Sequence, residues 1–293
     1  MKRYSPIINL FLLFTSLNIF SQKYENIFLS NDFEHYKGTK LKLKDDLLGV
    51  SFNYNFYSNI ENINENHGNN VAYPTQRYNF QTEKDSLKNK VFEVDAILTK
   101  DGGLFNKENA GYFDEPIFAL RDMKSQVMIY YKYNPKFEFS FPFLTSDLKF
   151  PENSLCNNLD TLVDEFTDEK KTNTPMIEGS NIAPASVIKI SKKNKPSIYY
   201  LSLHTIGSTL TVSMSGVTVI FEDSTKWSRN AEIDVEADKN GYDYSAFIAL
   251  TQNDLRLFAT KAIKKFRLYI YDENLNPGFA KKFREYSKCI SKK

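Results

Sequence analysis

Residues 231–250, AEIDVEADKNGYDYSAFIAL, carry the clearest structural signal in the chain. Ala231–Asp238 alternates acidic and apolar side chains, Tyr242–Leu250 alternates again, and Lys239-Asn240-Gly241 lies between them. A period of two is the signature of a strand with one buried and one solvated face. Asn-Gly tolerates the positive φ angles of a tight type I′ turn. The stretch therefore predicts a β-hairpin in an antiparallel sheet.

The neighbouring sequence extends that sheet. Upstream, Val187–Ser191, Ile198–His204, Ser208–Met214 and Val217–Phe221 read as further strands, and downstream Phe266–Tyr271 (FRLYIY) reads as another. Between them, Thr251-Gln252-Asn253-Asp254 resembles a capping box with Asp in place of Glu, which predicts a short helix to about Ala262. Asn276-Pro277 opens a terminal helix, with Asn as N-cap and Pro at the first helical position. Its apolar residues Phe279, Phe283, Tyr286 and Ile290 form one stripe to pack on the sheet.

The first half is also β-rich. Lys40–Lys44, Val91–Leu98, Ile117–Leu120 and Val127–Tyr133 read as strands, and Phe137–Phe143 as a strand with four phenylalanines on one face. Asp101-Gly102-Gly103 and the Asn-rich 59–70 read as turn and loop. Pro151–Asn158 looks like a linker, followed by an acidic cluster at Asp160, Asp164, Glu165, Asp168 and Glu169. The expected fold is mainly β, leaning to α+β. It has two antiparallel sandwich-like or barrel-like domains at 22–150 and 159–293, joined by the linker 151–158, and the second carries one short and one C-terminal helix.

Residues 1–21 read as a secretory signal peptide: Lys2 and Arg3, an apolar run from Ile7 to Phe14, and a small residue at Ser21. No other stretch approaches the roughly 20 apolar residues of a membrane span. Cleavage would remove two of the 38 basic side chains and none of the 36 acidic ones, so the formal charge falls from +2 to zero. A neutral chain lacks the positive field that nucleic acid binding uses. The address is periplasmic or extracellular, where Cys156 and Cys289 either pair or remain separate thiols.

Several constellations bear on chemistry. Glu232, Asp234, Glu236 and Asp238 alternate along the hairpin's first strand, so their carboxylates point the same way, about 7 Å apart. Hard oxygen ligands in a row suit Ca²⁺, though a solvated strand face has the same pattern. Trp227, the only tryptophan, follows an Asp223-Ser224-Thr225 turn and would stack on a sugar ring if exposed. Ser202 and His204 share a strand face, but no G-x-S-x-G elbow and no orienting acid is evident. His35 and His67 stand apart. The segment from Thr251 to Lys293 is locally basic, which fits either pairing within the domain or docking to an anionic surface.

The expectation is an exported, non-enzymatic binding or structural module of the cell envelope or extracellular space, with no required cofactor. Its partner would be a protein or polysaccharide of the envelope. The alternatives are a hydrolase of envelope or environmental polymers using an acidic pair, and a calcium-stabilised adhesion-like module.

Overall fold

The computed structural model describes residues 23–44, 56–63, 87–106, 115–136, 138–175, 177–178, 181–182, 184–238 and 241–292. The signal sequence expected at 1–21 and the turn residues Lys239 and Asn240 lie outside them. The protein is mainly β, with two antiparallel sheets and two separate apolar cores.

The first sheet contains β1 (Lys40–Leu43), β2 (Phe56–Tyr57), β3 (Val91–Leu98), β4 (Ile117–Asp122), β5 (Met128–Lys132) and β6 (Phe143–Ser146), in the order β2-β5-β4-β3-β1-β6. Its core is aromatic: Tyr36, Phe56, Phe92, Phe118, Phe141 and Phe143 are all fully buried. Three buried phenols find carbonyl acceptors, Tyr36 on Ile27 at 2.8 Å, Tyr133 on Ser30 at 3.0 Å and Tyr131 on Ser140 at 3.2 Å. Burial holds all three well above the usual phenol range, so they stay neutral.

The Phe137–Phe143 expectation needs correcting. Glu138–Ser140 is a 3-10 turn, and Pro142 separates it from β6. A proline supplies no ladder N–H, so strand pairing begins only beyond it. Phe141 and Phe143 nevertheless both reach the core.

The second sheet contains β7 (Asp160–Asp164), β8 (Glu169–Asn173), β11 (Ala185–Ser191), β12 (Ile198–Gly207), β13 (Met214–Phe221), β14 (Lys226–Asp238), β15 (Gly241–Leu250), β16 (Ile263–Leu268) and β17 (Tyr271–Asn274). The short strands β9 (Ile177–Glu178) and β10 (Asn181–Ile182) pair only with each other. The nine strands run β17-β16-β13-β14-β15-β12-β11-β8-β7. β14 joins the two leaves: its first part pairs with β13, and Asp234–Asp238 pair with β15. The sheet curls as a half-barrel until β17 meets β12, where Thr205 donates to Glu273 at 3.1 Å and the Tyr244 and Tyr271 rings lie 4.6 Å apart.

Helices α1 (Gln252–Thr260) and α2 (Pro277–Lys292) pack inside the curl. The capping box forms at Thr251 and Asp254, and Asn276 caps α2 by accepting from Gly278 N at 2.8 Å. Phe283, Tyr286 and Ile290 are buried, with Phe279 partly so, which is the expected stripe.

Two strand expectations fail at the same end of this sheet. Residues 208–213 form a loop rather than a strand, and Phe266–Tyr271 is broken by a turn at Tyr269, whose φ is +56°. The reason for the first break lies at Gly207, where any Cβ would sit 2.5 Å from Tyr244 and 2.7 Å from Tyr271. β12 therefore ends where those rings close over it.

The two cores meet through the linker and α2, with Phe150 packed against both. Cys156, in a 3-10 turn of the linker, is disulfide-bonded to Cys289 of α2. Asp32 from the first half accepts from Asn158 at 3.2 Å and pairs with the buried Lys282 at 3.5 Å. Lys281 pairs with Glu25 at 2.8 Å, and Lys292 with Glu152 at 2.6 Å. Three basic side chains of α2 are thus matched by acids from the N-terminal half and the linker.

Candidate functional site

The outer face of the central strands concentrates unusual polar groups. On β12 the core-facing residues are Tyr199, Leu201, Leu203 and Thr205, so Ser202, His204 and Ile206 point outwards. Register places Ser186 opposite Ser202, Ser245 opposite His204 and Asp243 opposite Ile206. Asp234 then faces Ser245, and Glu236 faces Asp243. Cross-strand partners share a face at about 5 Å between Cβ atoms. The expected carboxylate row and the Ser–His pair therefore belong to one surface.

Within it, Ser202 Oγ lies 3.0 Å from His204 Nε2, and His204 Nδ1 lies 3.7 Å from Asp243 Oδ2. The second distance is an ion-pair separation rather than a hydrogen bond. The acid that the sequence did not disclose is Asp243, on the other strand of the hairpin pair. Four buried side-chain atoms on this face have no hydrogen-bond partner among the described residues: Asn173 Oδ1, Ser186 Oγ, His204 Nδ1 and Asp243 Oδ1. Most buried polar groups are satisfied, and orphans gathered in one place mark a site that is incomplete alone.

Glu232, Asp234 and Glu236 are exposed, as is usual for a solvated strand face. Glu236 directly opposite Asp243 is a like-charge pair, which costs stability. Among the described residues, no group of three or more His, Cys, Asp and Glu side chains is placed to hold a metal ion. Asp238 pairs with Gly241, and the turn expected between them lies outside the described residues.

Trp227 is not the exposed ring expected for sugar stacking. It is 6% exposed, its indole N–H donates to Asp254 Oδ1 at 2.7 Å, and the Arg229 guanidinium lies 4.8 Å from its ring. Trp227 faces inward because β14 presents its odd-numbered residues to α1 at this point, as the edge contact with Phe258 at 5.2 Å shows.

A second feature lies at the end of the half-barrel, where β12 closes on β17. Ile206, Leu210, Val212, Tyr269 and Ile270 are all exposed there, Leu210 by 57% and Val212 by 64%. Their loops are fixed: Thr211 N donates to the Tyr244 hydroxyl at 3.0 Å, Tyr244 donates to Thr209 O, and the Tyr271 hydroxyl lies 2.5 Å from Thr209 Oγ1. Tyr269 N adds a bond to Gly216 O at 3.0 Å. The apolar end was not legible from sequence. On the polar face only the Ser202–His204 pair and the carboxylate row were, since strand register alone brings them together with Asp243 and Ser186.

Comparison of the chain with protein-family models, curated proteins and solved structures finds no match.

Proposed function

We propose that this is an exported binding module of the periplasm or extracellular space, which docks a protein partner through the apolar end of the half-barrel. The observation that carries the reading is the cluster Ile206, Leu210, Val212, Tyr269 and Ile270, exposed on loops held by Tyr244 and Tyr271. Apolar side chains presented together on a fixed frame mark an interaction surface, and a fixed frame reduces the ordering cost of binding. Aliphatic tips match the apolar surface of a protein better than a polysaccharide, which calls for aromatic platforms and polar groups. The Cys156–Cys289 disulfide supports the compartment, because such bonds persist where thiol-reducing systems are absent.

Site-specific photocrosslinking in the native host tests the reading. A photoreactive residue replacing Leu210 should give one discrete adduct with a protein of the envelope or medium, whereas one replacing Lys193, in the turn at the other end of β12, should not. Equal adducts from both positions, or none from position 210, would overturn it.

A further inference from the structure

We propose that Ser202, His204 and Asp243 form a serine nucleophile site that hydrolyses uncharged esters bearing an apolar acyl group. Three observations carry this. First, the nucleophile–base contact is already made, at 3.0 Å between Ser202 Oγ and His204 Nε2. With Nε2 accepting from the serine, the imidazole proton sits on Nδ1, the nitrogen 3.7 Å from Asp243. Catalytic contacts are often long before substrate binds, and a sub-ångström shift would give the buried Nδ1–H its missing acceptor.

Second, the Ser186 hydroxyl lies directly across the ladder from Ser202 on the same face, 1% exposed and without any partner. A buried hydroxyl with no acceptor, beside a nucleophile, is the donor that a developing oxyanion requires.

Third, the surroundings select the substrate. Phe247 opposes Ser202, stacks on Tyr200 at 4.4 Å between centroids, and is 53% exposed. That pair offers a platform for an apolar acyl group. On the other side stand Asp234 and Glu236, which repel an anionic substrate. Ser202 is itself only 7% exposed, so the carbonyl must approach from the more open His204 side.

The reaction needs no co-reactant but water. Ser202 Oγ attacks the carbonyl carbon, its proton passes to His204 Nε2, and the carbonyl π pair moves onto oxygen beside Ser186. Collapse breaks the bond to the alkoxy oxygen, which leaves as alcohol with the Nε2 proton. Water then gives a proton to Nε2 and attacks the acyl carbon, Ser202 takes that proton back, and a carboxylic acid departs. Ser202 and His204 are catalytic residues in this scheme, and Asp243 is a positioning residue that fixes the tautomer. The site adjoins the docking surface at Ile206, the residue opposite Asp243, but its chemistry uses none of the docking residues.

The full chain is treated with a fluorophosphonate probe and, separately, with p-nitrophenyl butyrate. The expected result is phosphonylation at Ser202 in peptide mass spectra, and p-nitrophenol release about 100-fold or more above that of Ser202→Ala, the lower range for a general base. Asp243→Asn should lower kcat with KM unchanged, a split that general loosening of the fold would not give. An unlabelled Ser202, or hydrolysis by Ser202→Ala equal to the parent, overturns the proposal. If Ser202→Ala does not fold, labelling of the parent chain decides alone.

Discussion

Asp254 uses its two oxygens differently. Oδ2 accepts from the backbone and hydroxyl of Thr251, closing the start of α1, while Oδ1 accepts from Trp227 at 2.7 Å and Arg229 at 2.6 Å. Burial alone would raise this carboxyl, but the donors outweigh it and hold the group below its ordinary value of 3.8. A lowered native value adds stability that is complete above the unfolded-state value and lost as pH falls through the native one. Asp254→Asn should therefore cost about 1.5–3 kcal/mol at pH 7, the range for hydrogen bonds to a charged group. The difference should shrink as the parent is acidified below its ordinary carboxylate range, which urea titrations at pH 7 and pH 3 would show. The local half of this arrangement was legible, because a capping box lies within four residues. The Trp227 half was not, because β14 and α1 meet only through packing. Asp243 was hidden for the same reason: period-two alternation puts Ser202 and His204 on one face, but only the β12–β15 register brings the acid beside them.

Elements with self-contained signals were readable, and those ended by a distant contact were not. The 231–250 hairpin, the α1 capping box and the Asn276-Pro277 start of α2 each rest on neighbouring residues. The end of β12 depends instead on two tyrosine rings from β15 and β17, which no local pattern reveals. β7 illustrates an edge: all five residues are exposed, and Asp160 and Asp164 flank Leu162 and Val163. Charges at the ends of an exposed apolar edge discourage pairing with other chains. With one paired neighbour and no buried side chain, β7 amides should exchange at the earliest time points of a hydrogen-exchange series, while those of β12 persist. Gly278 in α2 offers a sharper test. Alanine gains up to ~1 kcal/mol of helix propensity, but its Cβ would lie 2.8 Å from the Phe28 carbonyl, an overlap costing about 1–3 kcal/mol. The clash involves backbone, so it should win, and Gly278→Ala should lower the denaturant midpoint.

At the scale of the molecule, α2 is the element to which both halves attach. Its Lys281 and Lys282 reach Glu25 and Asp32, and its Cys289 holds the linker at Cys156. The two cysteines stand 133 residues apart, so the chain-entropy model assigns the bond about 5 kcal/mol. Cys289→Ser should show a loss of that order in guanidinium titrations, and reductant should bring the parent to the same midpoint. The sequence left this pairing open, because spacing alone does not say whether two thiols meet. The bond has a further consequence for what a protease can do to the chain. Residues 156–289 form a covalently closed ring that contains the whole second sheet. A protease that cuts the exposed loop at 208–213 opens the ring without releasing a fragment. The clipped molecule keeps its strands in place and its mass, apart from one added water, until a reductant separates the two pieces. Such a chain is suited to surroundings where proteases are common and repair is absent.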